Sequence, residues 1–371
     1  MHTRFSTLAE STSLLLHKLP PAIIPQTHQK GSPMTTLTLK NPLDMHLHLR
    51  EGEVLASVLP YTARAFLGAI VMPNLSTPIT TATLAQNYRD AITSLESSFN
   101  PIMTIYLSDS LDIAELTRIK EMGFKILKLY PKGATTNSSN GISDALSPQV
   151  LTLLEEAQNL GFILSIHGES AGFSMDREYE FLSVFDFLAR RFPRLKIILE
   201  HMSDHRSITL LENFENIFAT LTLHHITMDL DDLLGKGLNP HHFCKPIIKT
   251  PKDREKLLEL ALCAHPKVSF GSDSAPHPQK SKLTHSAAAG IFSAPHILER
   301  LAELFEEHGA LENLQAFISD NAFKNYDLTF PNEKHITLVK KPCTIPQSIA
   351  IDGDCIIPLC GGRSVSWSMG E

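Results

Sequence analysis

The sequence predicts an α/β fold: a (β/α)₈ barrel with a small C-terminal extension packed on it. Short apolar runs rich in β-formers alternate with longer amphipathic stretches, and eight such units follow one another in 371 residues. Several of the runs are almost continuously apolar, as expected when helices cover both faces of a parallel sheet. A doubly wound open sheet is the alternative, but no GxGxxG follows the first strand.

The elements can be placed in order along the chain. Strands are predicted at residues 43–49, 68–72, 102–107, 124–130, 162–167, 195–201, 217–223 and 267–273. Amphipathic helical stretches include residues 80–97, 111–122, 148–160, 175–191 and 251–265, and Gly161 provides a stop signal after the third. After Leu311 we expect a helical tail and then irregular strands through residues 348–351 and 365–368, which form the extension.

Composition limits the classes of protein to which the chain can belong. It is 43% hydrophobic and 20% charged, so residues 35–371 are expected to form one large globular domain. The formal net charge of −7 argues against nucleic-acid binding, and the absence of an 18-residue apolar run argues against a membrane span. Five cysteines without a CxxC pair indicate reduced thiols and a cytoplasmic location.

Residues 1–34 form a leader with a different character. Its apolar run is interrupted by His17, Lys18 and several prolines, and it lacks the pattern of a secretory signal peptide. Met34 stands just before the first convincing strand pattern. We expect the leader to be a disordered tail or an upstream start that the folded domain does not need.

The first barrel strand carries an HxH motif. Because side chains alternate along a strand, His46, His48 and Arg50 face one side, opposite the intervening leucines. Two neutral imidazoles at alternate positions can bind one zinc ion. The motif alone is weak evidence in a chain with 18 histidines.

Further groups of the same kind end other strands. Lys128 ends the fourth strand, His167 the fifth, His201 the sixth and Asp273 the eighth. A single buried histidine is more often a core residue, and a single lysine usually extends to solvent. Their recurrence at the carboxyl ends of the strands, where barrel enzymes place their catalytic groups, predicts a metal site.

The series of HxH, Lys, His, His and Asp resembles the binuclear amidohydrolase superfamily. The surrounding words narrow the resemblance to the monofunctional, bacterial-type dihydroorotases. These words are DMHLHLRE (residues 44–51), VMPN (71–74), KLYPKGATTNSS (128–139), HGE (167–169) and GSDSAPH (271–277). The resemblance extends from about residue 37 to residue 368 and leaves only the leader outside it.

The resemblance implies two zinc ions, held by His46, His48, Lys128, His167, His201 and Asp273. Lys128, carboxylated on its amine, would bridge the ions together with a hydroxide, with His46, His48 and Asp273 on one ion and His167 and His201 on the other. A desolvated lysine loses its proton readily, which makes addition of CO₂ chemically reasonable. Asp273 would transfer the proton. The implied reaction is the reversible cyclisation of N-carbamoyl-L-aspartate to L-dihydroorotate with loss of water, the third step of de novo pyrimidine synthesis.

This substrate carries a carboxylate, for which Arg50 offers a bidentate partner beside the metals. The resemblance adds Asn74 and His277 as partners of the same carboxylate, and backbone contacts near Lys245 and Ala289. It also implies that residues 132–141 close over the substrate as a lid, with hydroxyl contacts from Thr135 and Thr136. A homodimer is implied as well.

Three alternatives remain open from the sequence. Hydantoinase-like, dihydropyrimidinase-like or allantoinase-like enzymes share the chemistry, although Arg50 and the Thr135-Thr136 pair favour a carboxylate-bearing substrate. A mononuclear zinc deaminase would use Glu169 as its proton shuttle but does not need Lys128. A non-catalytic barrel that serves as an assembly partner would be expected to lack a ligand, and none is missing. The remaining histidines, including His224, His225, His241 and His242, are predicted to be structural or surface residues.

Overall fold

The computed structural model describes residues 35–370, so the predicted leader lies outside the described residues. Eight parallel strands follow one another in a single sheet, in the order in which they occur in the chain. After an outer strand β1 (Thr36–Lys40), they are β2 (Leu43–Leu47), β3 (Gly68–Val71), β4 (Asn100–Tyr106), β5 (Ile126–Leu129), β6 (Ile163–Ile166), β7 (Lys196–Leu199), β8 (Ile217–Leu221) and β9 (Val268–Phe270). The predicted barrel is confirmed.

Helices cover the outside of this sheet. They are α1 (Gly52–Ala65), α2 (Ala82–Leu95), α3 (Ile113–Glu121), α4 (Pro148–Asn159), α5 (Arg177–Arg191), α6 (Ile208–Asn213), α7 (Leu223–Thr227), α8 (Leu230–Leu234), α9 (Pro251–Leu262), α10 (Gln279–Lys282), α11 (Ile297–Glu307) and α12 (Asn321–Tyr326). Helix α1 was not singled out from the sequence, and it contains Pro60, a residue that disfavours a helix interior. No helix within residues 35–370 is long and apolar enough to cross a membrane.

The barrel closes between its last and first strands. A bridge joins Leu47 to Ser274, and the Asp273 amide donates to the His46 carbonyl at 2.8 Å. Ser272 donates its amide to the Asp44 carboxylate at 2.8 Å. Gly271 is required here, because a Cβ at this position would lie 3.0 Å from the Cβ atoms of both His46 and Thr220. Closure therefore places Asp273 beside the HxH motif, 225 or more positions away in the chain.

Several strands end earlier than the sequence predicts. The regular ladder stops at Leu47, Leu199 and Phe270, before the site residues that follow each of them. Beyond these ends, Arg50, His201 and Asp273 adopt φ angles of 60°, 40° and 43°. Left-handed backbone is costly for residues other than glycine and is concentrated at functional sites. The chain turns sharply at each position and presents the side chain at the barrel mouth.

The C-terminal extension packs against the barrel as predicted, and its sheet includes the N-terminal strand. Strand β1 pairs antiparallel with β10 (His335–Val339), which pairs with β15 (Ser368–Met369). Two further pairs are formed by β11 (Cys343–Thr344) with β14 (Ser364–Val365), and by β12 (Ile349–Ile351) with β13 (Asp354–Ile356). Trp367 is fully buried and anchors the extension.

Candidate active site

The carboxyl ends of the barrel strands bring all six predicted metal ligands to one end of the barrel. Each of the six is buried: His46, His48, Lys128, His167, His201 and Asp273. Burying so many polar and ionisable groups together is costly unless they pair or bind a metal. Their roles as metal ligands stay predictions.

The first half of the site is formed by the HxH motif and Asp273. The Asp273 Oδ1 atom lies 3.1 Å from His48 Nε2 and 3.5 Å from His46 Nε2. These three side chains can each direct one donor atom to a common point. Around a tetrahedral zinc ion with bonds of about 2.0–2.1 Å, ligand atoms lie roughly 3.3 Å apart. The spacing therefore fits a single ion.

The second half is formed by His167 and His201. The Nδ1 atom of His167 lies 3.1 Å from Nε2 of His201, a spacing that also fits two ligands of one ion. His201 Nδ1 is buried and has no hydrogen-bond partner among residues 35–370. Glu169 contacts the other nitrogen of His167 at 2.7 Å and so holds the ring in place. This use of Glu169 differs from the proton shuttle of the deaminase alternative.

Lys128 is the sixth predicted ligand and is completely buried. Its Nζ atom is fully buried, has no hydrogen-bond partner among the described residues, and lies 5.0 Å from the ring centroid of Tyr130. Burial lowers the pKa of Lys128 to about 8, although Glu200 and Asp273 favour the charged form. A neutral amine is the form that can add CO₂. An unpaired buried ammonium is costly, whereas a carbamate between two cations is not, so Lys128 fits a bridging ligand.

Glu200 is a residue of this site that the sequence analysis did not identify. Its carboxylate accepts a hydrogen bond from His46 Nδ1 at 2.8 Å and others from Ser165 and Thr220. Burial by itself would raise the pKa of Glu200, but His46 and Lys128 hold it below its usual value. A carboxylate on the distal nitrogen orients a ligating histidine and increases its basicity. The sequence did contain a signal for this role, because Glu200 is a charged residue at the end of an otherwise apolar run and stands next to His201.

Burial favours the neutral form of three histidines of the site. It lowers the pKa of His48 to about 4, and it also lowers the pKa of His167 and of His201. Burial would raise the pKa of Asp273, but the hydrogen bond with His48 and the adjacent His46 hold it well below its usual value. Neutral imidazoles and an ionised carboxylate are the ligand forms that zinc requires. The side chains present therefore fit a metal centre.

The predicted carboxylate partners lie on one side of this centre. Arg50 Nη2 is 3.0 Å from His277 Nε2, and Arg50 Nε donates to the Pro276 carbonyl at 3.1 Å. His277 Nε2 is also 3.0 Å from the Ala289 carbonyl oxygen. The Oδ1 atom of Asn74 is buried and has no partner among residues 35–370. The structure thus groups a cation and polar groups beside the metal ligands.

The predicted lid is closed over the site. Asn74 Nδ2 donates to the Thr136 carbonyl at 3.0 Å, and the hydroxyl of Thr136 donates to the Ala289 carbonyl at 3.3 Å. Asn137 donates to the Asn74 carbonyl at 3.1 Å. The tip of the loop therefore docks onto two of the proposed substrate-binding positions.

These groups line one common cavity at the carboxyl ends of the strands. Eleven predicted residues line it: His46, His48, Arg50, Asn74, Thr135, Thr136, His167, His201, Lys245, Asp273 and Ala289. Lys128 and His277 are not among the residues that line the cavity, although His277 Nε2 lies 3.0 Å from Nη2 of Arg50, which does line it. The cavity is also lined by Tyr130, Ala275 and Gly290, which the sequence analysis did not assign.

Comparison with known proteins identifies the family. A family model described as amidohydrolase matches residues 109–328. The dihydroorotase of Helicobacter hepaticus is 57% identical over 337 residues, which cover 91% of this chain and 98% of that protein. The chain belongs to the dihydroorotase family.

Solved structures of dihydroorotases agree with this assignment. The Campylobacter jejuni dihydroorotase is 41% identical, with a TM-score of 0.86 over 91% of this chain and 98% of that one. The Saccharomyces cerevisiae dihydroorotase, solved in complex with 5-fluoroorotic acid, is 32% identical, with a TM-score of 0.86 over 91% and 99% of the two chains. Dihydroorotases are metal-dependent hydrolases of cyclic amide bonds, and the family shown is the one that the sequence resembles.

Proposed function

We propose that this chain interconverts N-carbamoyl-L-aspartate and L-dihydroorotate in pyrimidine synthesis, through a two-zinc centre bridged by carboxylated Lys128. Family membership supports the reaction. The convergence of six buried ligand-type side chains, five of which line one cavity together with Arg50, supports the residues that carry it. Support for the carbamate comes from the buried Lys128 amine, which lacks a partner among residues 35–370.

The metal ligands divide into two groups in this proposal. His46, His48 and Asp273 would hold one ion, His167 and His201 would hold the other, and carboxylated Lys128 would contribute a ligand to both. When bound, zinc lowers the pKa of water and polarises the amide carbonyl that is attacked. Glu200 and Glu169 orient His46 and His167 from the outside of the centre.

Asp273 transfers the proton. Its carboxylate lies at the closing seam of the barrel, within 3.5 Å of both imidazoles of the HxH motif. From there it takes the proton of the attacking water and delivers it to the departing amide nitrogen. In the biosynthetic direction the same transfers run in reverse and close the ring.

Substrate recognition falls to the polar side of the cavity. Arg50 binds the substrate carboxylate, with Asn74 and His277 as neighbours. Thr135 and Thr136 contact the substrate from the lid, and Lys245 and Ala289 contact its ring through their backbones. The closed lid excludes water during the reaction.

Two further properties belong to the proposal. The family resemblance supports a homodimer, which sedimentation of the purified chain would measure. A cytoplasmic location is supported by five cysteines that form no disulfide.

The test measures ring opening of L-dihydroorotate by the zinc-loaded chain and by Lys128→Ala. We expect the variant to lose at least roughly 100-fold in activity, since the metal centre loses its bridging ligand, and to recover in part when short carboxylic acids are added. Lys236→Ala, which changes an exposed lysine, is the matched control and should retain full activity. Turnover of hydantoin or allantoin in place of dihydroorotate would refute the substrate assignment, and a fully active Lys128→Ala would refute the bridge.

A further inference from the structure

A second group of metal-binding side chains lies outside the catalytic ligand set. His224, His225 and Cys244 are all buried, and each has one donor atom within 4.8 Å of the others. The two histidines lie in α7, immediately after barrel strand β8. Cys244 immediately precedes Lys245, which lines the catalytic cavity. The sequence predicts that both histidines are structural or surface residues.

His224 is the most unusual member of this group. It is completely buried, and neither of its ring nitrogens has a hydrogen-bond partner among residues 35–370. Leaving buried polar atoms unpaired is costly, so such atoms usually bind a water molecule or an ion. Burial, together with His225, holds the pKa of His224 well below its usual value, so its ring is neutral and has a lone pair available.

His225 is oriented as a ligating histidine would be. Its Nε2 atom lies 3.0 Å from the Pro246 carbonyl oxygen, to which it donates. This tautomer leaves a lone pair on Nδ1, which lies 2.9 Å from the Thr222 hydroxyl. A backbone carbonyl on the distal nitrogen is a common support for a metal-bound histidine. An ion binds at Nδ1 only when the Thr222 side chain turns away, because its oxygen occupies that position.

Cys244 provides the third donor. Its Sγ atom is buried and lies 3.2 Å from the same Pro246 carbonyl. Burial raises the pKa of Cys244 to about 12, so without a cation the residue is a thiol. A bound divalent metal deprotonates a coordinating thiol outright. Proton release to solvent then accompanies formation of the metal–sulfur bond, and the sulfur keeps its electron pair.

We propose that His224, His225 and Cys244 bind a third metal ion, of the zinc type, separate from the catalytic centre. Two imidazoles and a thiolate form a ligand set that zinc favours over magnesium or calcium. Bound there, the ion ties α7 to the segment that carries Lys245, and so stabilises one wall of the catalytic cavity. The proposal does not depend on the substrate or on the carbamate.

Cobalt substitution provides the test, because Co²⁺ bound to a thiolate gives a near-ultraviolet charge-transfer band. The proposed catalytic ligands include no thiolate, so the band reports a metal bound by a cysteine outside them, and its loss in Cys244→Ala assigns it to this cluster and not to Cys343, which lies near His296 and Glu299. We expect the full-length chain, loaded with Co²⁺ and freed of excess metal, to hold about three ions and to show the band. Cys244→Ala and His224→Gln should each hold about two ions; the first should lose the band and the second should weaken it severely.

Cys263→Ala is the matched control, because Cys263 is an exposed thiol outside the cluster, and this variant should keep the band. His224→Gln retains a polar side chain and Cys244, so it keeps the test decisive if Cys244→Ala does not fold. Two ions without a thiolate band in the wild type would overturn the proposal. A band that survives in Cys244→Ala would overturn it as well, because the thiolate would then come from elsewhere.

Discussion

At the scale of single residues, the ligand side chains depend on the groups behind them. His46 is held by Glu200 and His167 by Glu169, through contacts of 2.8 and 2.7 Å. Glu200 is itself bound by the hydroxyls of Ser165 and Thr220, so its position is set by two neighbouring strands. The orientation of each of these ligating histidines is therefore set by the carboxylate that contacts its other ring nitrogen.

Glu200→Gln tests this dependence. The amide keeps a hydrogen-bond acceptor for His46 but removes the negative charge that increases the basicity of the ring. We expect zinc affinity, measured by competition with a chelator, to fall roughly 10- to 100-fold. Glu178→Gln is the control, because Glu178 is an equally buried carboxylate that binds Ser203 and Ser207 away from the ligands. Equal losses in the two variants would contradict a specific role for Glu200.

At the scale of elements, the lid is a loop whose two ends, at Pro131 and Ile142, are held together. These ends form its neck, and its tip, at Thr136 and Asn137, is docked onto the site. Pro131 pairs with Ile142, and the Ile142 amide donates to the Tyr130 carbonyl at 2.8 Å. Gly141 lies at this neck, where a Cβ would approach the Tyr130 carbonyl oxygen to 2.4 Å. A side chain at Gly141 would therefore displace the loop that carries Thr135 and Thr136.

Gly141→Ala is expected to lower kcat/KM for dihydroorotate roughly 10- to 100-fold, because misplacement of positioning groups by about 1 Å has effects of that size. Zinc content should be unchanged. Gly133→Ala, in the same loop, is the control: its Cβ would meet nothing within 4 Å, although its φ of 74° costs some stability. If both variants reduced kcat/KM equally, backbone strain rather than displacement of the neck would be the cause.

At the scale of the whole molecule, the barrel interior holds an unusual number of neutral histidines. Burial lowers the pKa of His48 and His225 to about 4, and it lowers those of His167, His201, His224 and His277 as well. In the unfolded chain these groups titrate near pH 6.5, so between about pH 6.5 and 4 the unfolded state binds more protons than the folded state. Asp44 and Glu178 oppose this, since burial raises the pKa of both, that of Asp44 to about 6, but they are two groups against six.

We therefore expect the metal-free chain to lose stability as the pH falls from about 6.5 to about 4. Each such histidine contributes at most about 1.4 kcal/mol per pH unit to the slope. Urea unfolding at several pH values measures this slope. His225→Gln should reduce the slope, whereas His335→Gln, which changes an exposed histidine, should leave it unchanged. A metal-free stability that is flat across this range would contradict the prediction.

The part of the site that could be predicted from the sequence is the part encoded locally. Alternation within one strand predicts that His46, His48 and Arg50 share a face, and the end of each apolar run marks where Lys128 or His167 lies. Helix α1 and the early ends of the ladders were not predicted, because Pro60 and left-handed backbone at Arg50 obscure the local pattern.

The sequence by itself determined the type of barrel, the set of ligand-type residues and, through its motifs, the family that the comparisons confirm. These follow from short-range periodicity and residue chemistry. Only the tertiary structure decided that Asp273 meets the HxH motif at the closing seam, that Glu200 supports His46, and that Cys244 lies beside His224. Such contacts join residues far apart in the chain, and their geometry depends on how the strands close around one another and not on any local pattern.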